Sequence, residues 1–269
     1  MSVLSPEELT TAALASSATP TVRARRLRVQ YGEQVALAGI DLDVYPGEVV
    51  ALLGHSGSGK STLMKTLTGI APFTADALEV AGRPVAQQTA TGLRELRSDV
   101  GYVFQHFNLV PRLTALTNVL TGGLHSAGPI NILGTFSRDQ RSMALELLDR
   151  VGLAHKAKQP CRSLSGGEQQ RVAIARALMQ QPRLILADEP VASLDPRLAG
   201  NILGLLRDIA REEQIPVIVS LHVVGLARRY ADRVLGLHSG ELVFAGRATH
   251  ITEKEVHQIY GTDTELLEN

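Results

Sequence analysis

A single cysteine, Cys161, is present among the 269 residues, so no intrachain disulfide can form and a disulfide-built secreted scaffold is excluded. Its plain reading is a small apolar filler, and it is assigned no role. Charge of one sign is missing too: 27 Lys and Arg face 27 Asp and Glu. The chain therefore lacks the positive field by which most sequence-independent nucleic-acid binders displace counterions, and nucleic acid is not expected as a partner. No run of about 18 consecutive apolar residues occurs, so any work at a bilayer would need other chains to span it. The first 22 residues hold no Lys or Arg and two Glu, which does not read as a secretory signal; residues 1–20 read as a loose leader, with a short helix starting near Ser5. Gly (24) and Pro (12) are too few for a low-complexity chain, and 44% hydrophobic against 20% charged residues suits a packed globular core.

What is there begins with β-rich text at 22–30 and 35–44, closed by Pro46 and Gly47, which predicts an antiparallel pair. Residues 48–53 form an apolar run suited to a strand buried on both faces, leading through glycines into a helix at 61–68. Later apolar runs at 184–187, 217–220 and 234–237, each beside a helical stretch, predict a parallel sheet with crossover helices. After a strand at 100–104 the signal turns helical. It is clearest at 138–151, where Met143, Leu147, Leu148 and Val151 share a face, and it predicts an inserted helical lobe. Residues 122–134 read as a flexible glycine-rich loop within that lobe.

Gly54-His55-Ser56-Gly57-Ser58-Gly59-Lys60-Ser61 fits the pattern G-x-x-x-x-G-K-S between a strand and a helix. Glycines let the backbone curl so that its N–H groups converge on phosphate oxygens; Lys60 reaches the β and γ phosphates and Ser61 offers a hydroxyl to magnesium. Leu184-Ile185-Leu186-Ala187-Asp188-Glu189 is an apolar strand ending in two acids, the Walker B form. Strand alternation separates their roles, Asp188 toward the magnesium shell and Glu189 toward an attacking water. In isolation such acids are equally well read as solvated groups or caps of the next helix.

Leu164-Ser165-Gly166-Gly167-Glu168-Gln169-Gln170-Arg171 opens a helical run to Met179. Locally it is a capping box, Ser165 with Glu168 three residues on, and such a helix start also presents N–H donors to an anion. With this motif the chain resembles the ATP-binding cassette family, the ATPase subunits of ABC transporters, over a stretch from Val22 to about Tyr260. The resemblance implies an α/β P-loop NTPase fold of ABC type: a mainly parallel core sheet, an antiparallel β subdomain and an inserted helical subdomain at about 93–165, in an ATPase domain at 21–262 with a tail at 263–269. It implies ATP on the loop Gly54 to Ser61 with Thr62, an adenine stacked on Tyr31, and the partner subunit's γ phosphate clasped by Ser165, Gly166, Gly167 and Glu168. By the same resemblance magnesium falls to Ser61, Gln105 and Asp188, and catalysis to Glu189, His222, Lys60 and Gln105, while Ser193-Leu194-Asp195-Pro196 crosses the dimer interface. Taken singly, Tyr31 also reads as a packed surface aromatic, Gln105 as a strand-end amide, Asp195 as a helix cap and His222 as a satisfied core histidine. Their shared order carries the family.

Glu168 departs from the glutamine most common there; a carboxylate would oppose the partner's phosphates unless it folds back onto the N–H of Ser165, which is the expectation. One phosphate loop and one signature per chain imply a homodimer of ATPase subunits that closes on ATP. The resemblance further implies two integral membrane permease subunits, a periplasmic or lipid-anchored substrate-binding protein, and a place at the cytoplasmic face of the bacterial inner membrane. Segments such as Phe107-Asn108-Leu109-Val110-Pro111-Arg112-Leu113 and Ser220-Leu221-His222 are similar to the phosphonate importer branch, with polar amino acid importers as close kin. A soluble ABC ATPase without a membrane partner and a non-hydrolysing ATP-binding scaffold are the rival readings.

Overall fold

The computed structural model describes residues 19–125 and 136–261. The expected leader helix near Ser5, most of the 122–134 loop and the tail lie outside these residues. The chain starts with β1 (Val22–Tyr31) and β2 (Gln34–Val44), antiparallel, with Val22, Ala24, Leu27 and Val29 buried. A register shift between Ala24 and Leu27 accommodates Arg26, whose φ is 48°. β4 (Ala77–Val80) pairs with β1, and the two-residue β5 (Arg83–Pro84) with β4, giving a sheet of order β2-β1-β4-β5.

The second sheet has the order β10-β9-β3-β8-β7-β6. Its parallel members are β3 (Val49–Leu53), β6 (Val100–Val103), β7 (Leu184–Ala187), β8 (Val217–Ser220) and β9 (Arg233–His238); β10 (Glu241–Arg247) closes the edge antiparallel to β9. All five residues of β3 are buried, because the strand lies between two cores. Val49, Ala51 and Leu53 pack with α6 (Pro196–Glu213), α7 (Val224–Tyr230) and α8 (Glu253–Tyr260) on one face. Val50 and Leu52 pack with the antiparallel sheet, α1 (Lys60–Leu67) and α2 (Ala90–Ser98) on the other. Period-two alternation between two apolar layers explains why the strand reads as an unbroken apolar run.

A third core joins α3 (Ala115–Gly122), α4 (Arg138–Arg150) and α5 (Gly166–Leu178) through Val119, Leu148, Leu153 and Val172. The helical excursion expected from about residue 93 starts later. Leu93 and Leu96 of α2 pack against the antiparallel-side core, and β6 is the edge strand of the main sheet, so the helical module gathers its own core from Leu109 onward. Gly122, expected in a turn, is the last residue of α3; a Cβ there would lie 2.1 Å from the Arg176 carbonyl oxygen, so glycine serves close helix approach.

Candidate functional site

The C-terminal ends of β3, β7 and β8 converge, and each carries a polar segment. From β3 the chain enters Gly54 at φ 149° and curls through Gly57 (φ 80°) and Gly59 (φ 110°) into α1. A Cβ on Gly54 would sit 2.3 Å from the Leu237 carbonyl oxygen, and one on Gly59 2.8 Å from that of Ala36, so both positions require glycine for φ and for space. Gly59 is the N-cap of α1 and brings no side-chain cap, and no acid lies in the first turn, so the helix end keeps N–H groups for an anion. Ser58 adds a buried hydroxyl with no partner. This is a cradle with unspent donors, and its chemistry suits phosphate oxygens.

Lys60 is 5% exposed and lies inside the loop, its Nζ donating to the carbonyl oxygens of Gly54 (2.6 Å) and His55 (3.0 Å). Burial pushes its pKa below the ordinary lysine value, with Glu189 and Asp188 pulling the other way. Ser61 Oγ donates to Asp188 Oδ1 at 3.3 Å, and Tyr102 OH donates to Asp188 Oδ2 at 3.3 Å. Burial, ahead of the neighbouring Asp188 charge, raises the Tyr102 pKa, so the phenol stays a donor. Among the described residues no group of three or more His, Cys, Asp and Glu could hold a metal ion. The hydroxyl of Ser61 and one oxygen of Asp188 instead suit an ion that keeps waters and takes phosphate oxygens, as Mg²⁺ does.

Glu189 follows Asp188 just past the end of β7 at Ala187, and its backbone is left-handed (φ 47°). Its Oε1 is 2.6 Å from His222 Nε2. Gln105 is exposed just beyond β6, whose Val103 carbonyl accepts from the Asp188 N–H at 2.9 Å. Tyr31, 46% exposed, ends β1 opposite Gln34; the following β2 brings Ala36 and Leu37 against Gly59. His55, within the loop, donates to the Tyr260 carbonyl, while Ser56 is exposed and Thr62 partly so on α1.

Ser165 and Glu168 stand apart on the helical module. Ser165 N–H donates to Glu168 Oε2 at 3.0 Å, so the carboxylate folds back as expected, and Gly166 and Gly167 open α5 against Leu194 and Leu198. Sequence reasoning missed Lys156, whose Nζ donates to Glu168 Oε1 at 2.5 Å. That ammonium is the main cause holding the Glu168 carboxyl below its usual range, assisted by Ser165. Asp195 does cap a helix: its Oδ1 accepts from the N–H groups of Arg197 (3.1 Å) and Leu198 (3.0 Å). Arg176 was missed as well. It donates to the carbonyls of Asn108 (2.5 Å) and Phe107 (2.9 Å), two residues at positive φ, and so ties the segment after Gln105 to α5.

A family model described as ABC transporter matches residues 37–192. The chain is 44% identical over 241 residues to the "Phosphonates import ATP-binding protein PhnC" of Rhizobium meliloti, covering 89% of this chain and 86% of that one. It is 48% identical to the "Phosphate-import ATP-binding protein PhnC" of Mycolicibacterium smegmatis (89% and 91%), and 44% identical to the "Hypophosphite import ATP-binding protein HtxD" of Stutzerimonas stutzeri (86% and 68%). Among solved structures it superposes on cbiO1 from Clostridium perfringens with a TM-score of 0.78 at 29% identity, covering 89% of this chain and 93% of that one. It also superposes on the ATP-binding cassette MJ0796 bound to ADP and Pi with a TM-score of 0.73 at 34% identity, covering 84% and 98%. Sequence, fold and the grouping of loop, acids and histidine agree: the chain belongs to the ABC transporter family.

Proposed function

We propose that this chain is the ATP-hydrolysing subunit of a bacterial importer for phosphonate or a related phosphorus oxyanion. The observation that carries the reading is the convergence on one strand-end cluster of the Lys60 loop, the Ser61–Asp188 pair and the Glu189–His222 pair. The loop N–H groups and Lys60 bind the triphosphate and hold its terminal phosphate in line for water. Glu189 accepts the proton of that water, and His222, now hydrogen-bonded to Glu189, contacts the γ phosphate. Ser61 and Asp188, with Gln105 at the rim, would hold magnesium, which would supply positive charge to offset that of the phosphate oxygens. Tyr31 supplies a face for adenine.

The Ser165 tip does not reach this cluster by any hydrogen bond or ion pair among the described residues, which supports a site completed by a second copy. ATP then joins two chains and hydrolysis releases them, because intact triphosphate alone interacts with both surfaces. No helix among the described residues is long and apolar enough to cross a membrane. Two permease subunits would carry the motion across it, with this chain at the cytoplasmic face and a substrate-binding protein outside.

The cargo reading is supported by the relatives from Rhizobium meliloti, Mycolicibacterium smegmatis and Stutzerimonas stutzeri, whose names are for import of phosphonates, phosphate and hypophosphite. The test is to draw the protein from membranes with its partners attached, measure ATP turnover, and titrate the associated receptor with phosphonate, phosphite, hypophosphite, phosphate and amino acids. Binding of an amino acid with none of the phosphorus compounds would overturn the cargo, and turnover without any membrane partner would favour a soluble ATPase.

A further inference from the structure

Ser220 ends β8 fully buried, a polar side chain at a strand position where Val217, Ile218 and Val219 before it are all apolar. Alternation fixes its face. Ile218 packs in the antiparallel-side core with Leu184 and Leu186 of β7, and Ile218 pairs with Leu186 in register. Two residues further along both strands, the same face carries Ser220 and Asp188 side by side. The Ser220 hydroxyl accepts from the Glu189 N–H at 2.7 Å and donates to Asp188 Oδ1 at 2.9 Å.

One hydroxyl therefore holds both acids, Glu189 by its backbone and Asp188 by its side chain. Glu189 needs such a hold, because its backbone sits at φ 47° where a non-glycine residue is strained and persists only when neighbours determine it. His222, two residues past Ser220, takes the carboxylate of the same Glu189 at 2.6 Å. Glu189 is thus held at its backbone by the last residue of β8 and at its carboxylate by the segment that follows β8. Asp188 is fixed by hydroxyls on both oxygens, Ser220 and Ser61 on Oδ1 and Tyr102 on Oδ2.

We propose that Ser220 is a positioning residue for ATP hydrolysis, aligning the proposed base and the proposed magnesium-side carboxylate through one shared hydroxyl. The inference rests on the assignment of Asp188 and Glu189 given under Proposed function. An apolar side chain would fill the space but leave the Glu189 N–H without this acceptor and Asp188 Oδ1 held by the longer Ser61 contact alone. The nucleotide cradle on β3 and α1 makes no use of this hydroxyl, so binding of the triphosphate alone is left intact.

The experiment compares Ser220→Ala and Ser220→Thr with the unsubstituted full chain bound to its membrane subunits. In Ser220→Ala the expected result is a fall in kcat of about tenfold or more, with KM for ATP in magnesium rising by no more than the factor by which the magnesium gain falls. Binding of a fluorescent ATP analogue in EDTA stays the same, while the gain in its affinity on adding Mg²⁺ drops by about fivefold or more; that readout needs no turnover. Ser220→Thr, which keeps the hydroxyl, restores kcat to within about threefold. A Ser220→Ala protein with unchanged kcat and unchanged magnesium gain overturns the proposal, and so does a Thr variant as impaired as Ala at equal melting temperature. Should Ser220→Ala melt below the assay temperature, Ser220→Cys decides instead, since it keeps the shape with a much weaker hydrogen bond: loss is expected and full activity refutes. If the unsubstituted complex itself turns over no ATP, the assignment of the acids fails first, and the two failures are told apart.

Discussion

His222 Nε2 meets Glu189 Oε1 at 2.6 Å across the ends of β8 and β7, so the proposed base and the proposed γ-phosphate ligand are directly paired. Glu189→Gln keeps the shape and removes the base. It is expected to bind ATP with affinity within about threefold, to lose turnover by about a thousandfold, and to accumulate as a nucleotide-bound dimer. Steady-state ATPase assay and light scattering check this, and residual turnover near the unsubstituted rate would remove Glu189 as the base.

Lys60 donates to two carbonyls of its own loop while burial depresses its pKa, so its charge is a cost to the ligand-free fold that a phosphate would offset. Lys60→Ala is expected to weaken ATP binding by about tenfold or more and to leave the melting temperature of the nucleotide-free protein unchanged or higher. Calorimetric titration and thermal unfolding separate the two effects. Unchanged affinity would undermine the phosphate assignment.

The strand, loop and helix around Gly54 to Ser61 were legible because the chemistry sits in contiguous residues and β3 is apolar on both faces. So were β7 and β8, for the same reason, and the folding back of Glu168, which is a local i to i+3 contact. What escaped depends on partners distant in sequence. Lys156 meets Glu168 through a short 3-10 turn, Arg176 reaches back 68 residues to Asn108, and Tyr260 meets Gly54 from 206 residues away. β4 and β5 are too short to leave a pattern, and β10 is partly buried along its length, so its alternation is blurred.

Lys156 and Glu168 make a pH prediction. The Glu168 carboxyl is depressed below its usual range by Lys156 and Ser165. A depressed acid contributes stability above its unfolded pKa, near 4.3, and loses it as pH falls through the lower folded value. Glu168→Gln should therefore melt below the unsubstituted protein at pH 7, with the gap closing as pH drops below about 4. The pair is partly exposed, so the difference at pH 7 is held to about 1 kcal/mol or less. Lys156→Ala leaves the carboxylate at the helix tip without its cation. If that tip meets a partner's phosphate, KM for ATP rises in Lys156→Ala and returns toward the starting value in the double variant Lys156→Ala, Glu168→Gln. Equal KM in all three would place the tip away from phosphate.

Tyr260, the last residue of α8, ties the C-terminal helix to the site. Its hydroxyl accepts from the Gly54 N–H at 3.4 Å and donates to the His222 carbonyl at 3.3 Å, which links the entry of the phosphate loop to the histidine segment. The His55 ring packs edge-on against it with centroids 5.1 Å apart, and burial pushes the phenol pKa up to about 12, so it remains protonated and able to bridge at any physiological pH. Tyr260→Phe keeps the ring and its packing but leaves two backbone groups without this partner, at a cost of about 1–3 kcal/mol. For a chain of this size that corresponds to a fall of roughly 2–10 °C in melting temperature. Because both ends of the bridge belong to the site, ATP should add less stability to Tyr260→Phe than to the unsubstituted protein, and KM should rise by about two- to fivefold. Thermal unfolding with and without nucleotide measures this; an equal ATP-induced shift in both proteins would make Tyr260 a packing residue of α8 with no hold on the site.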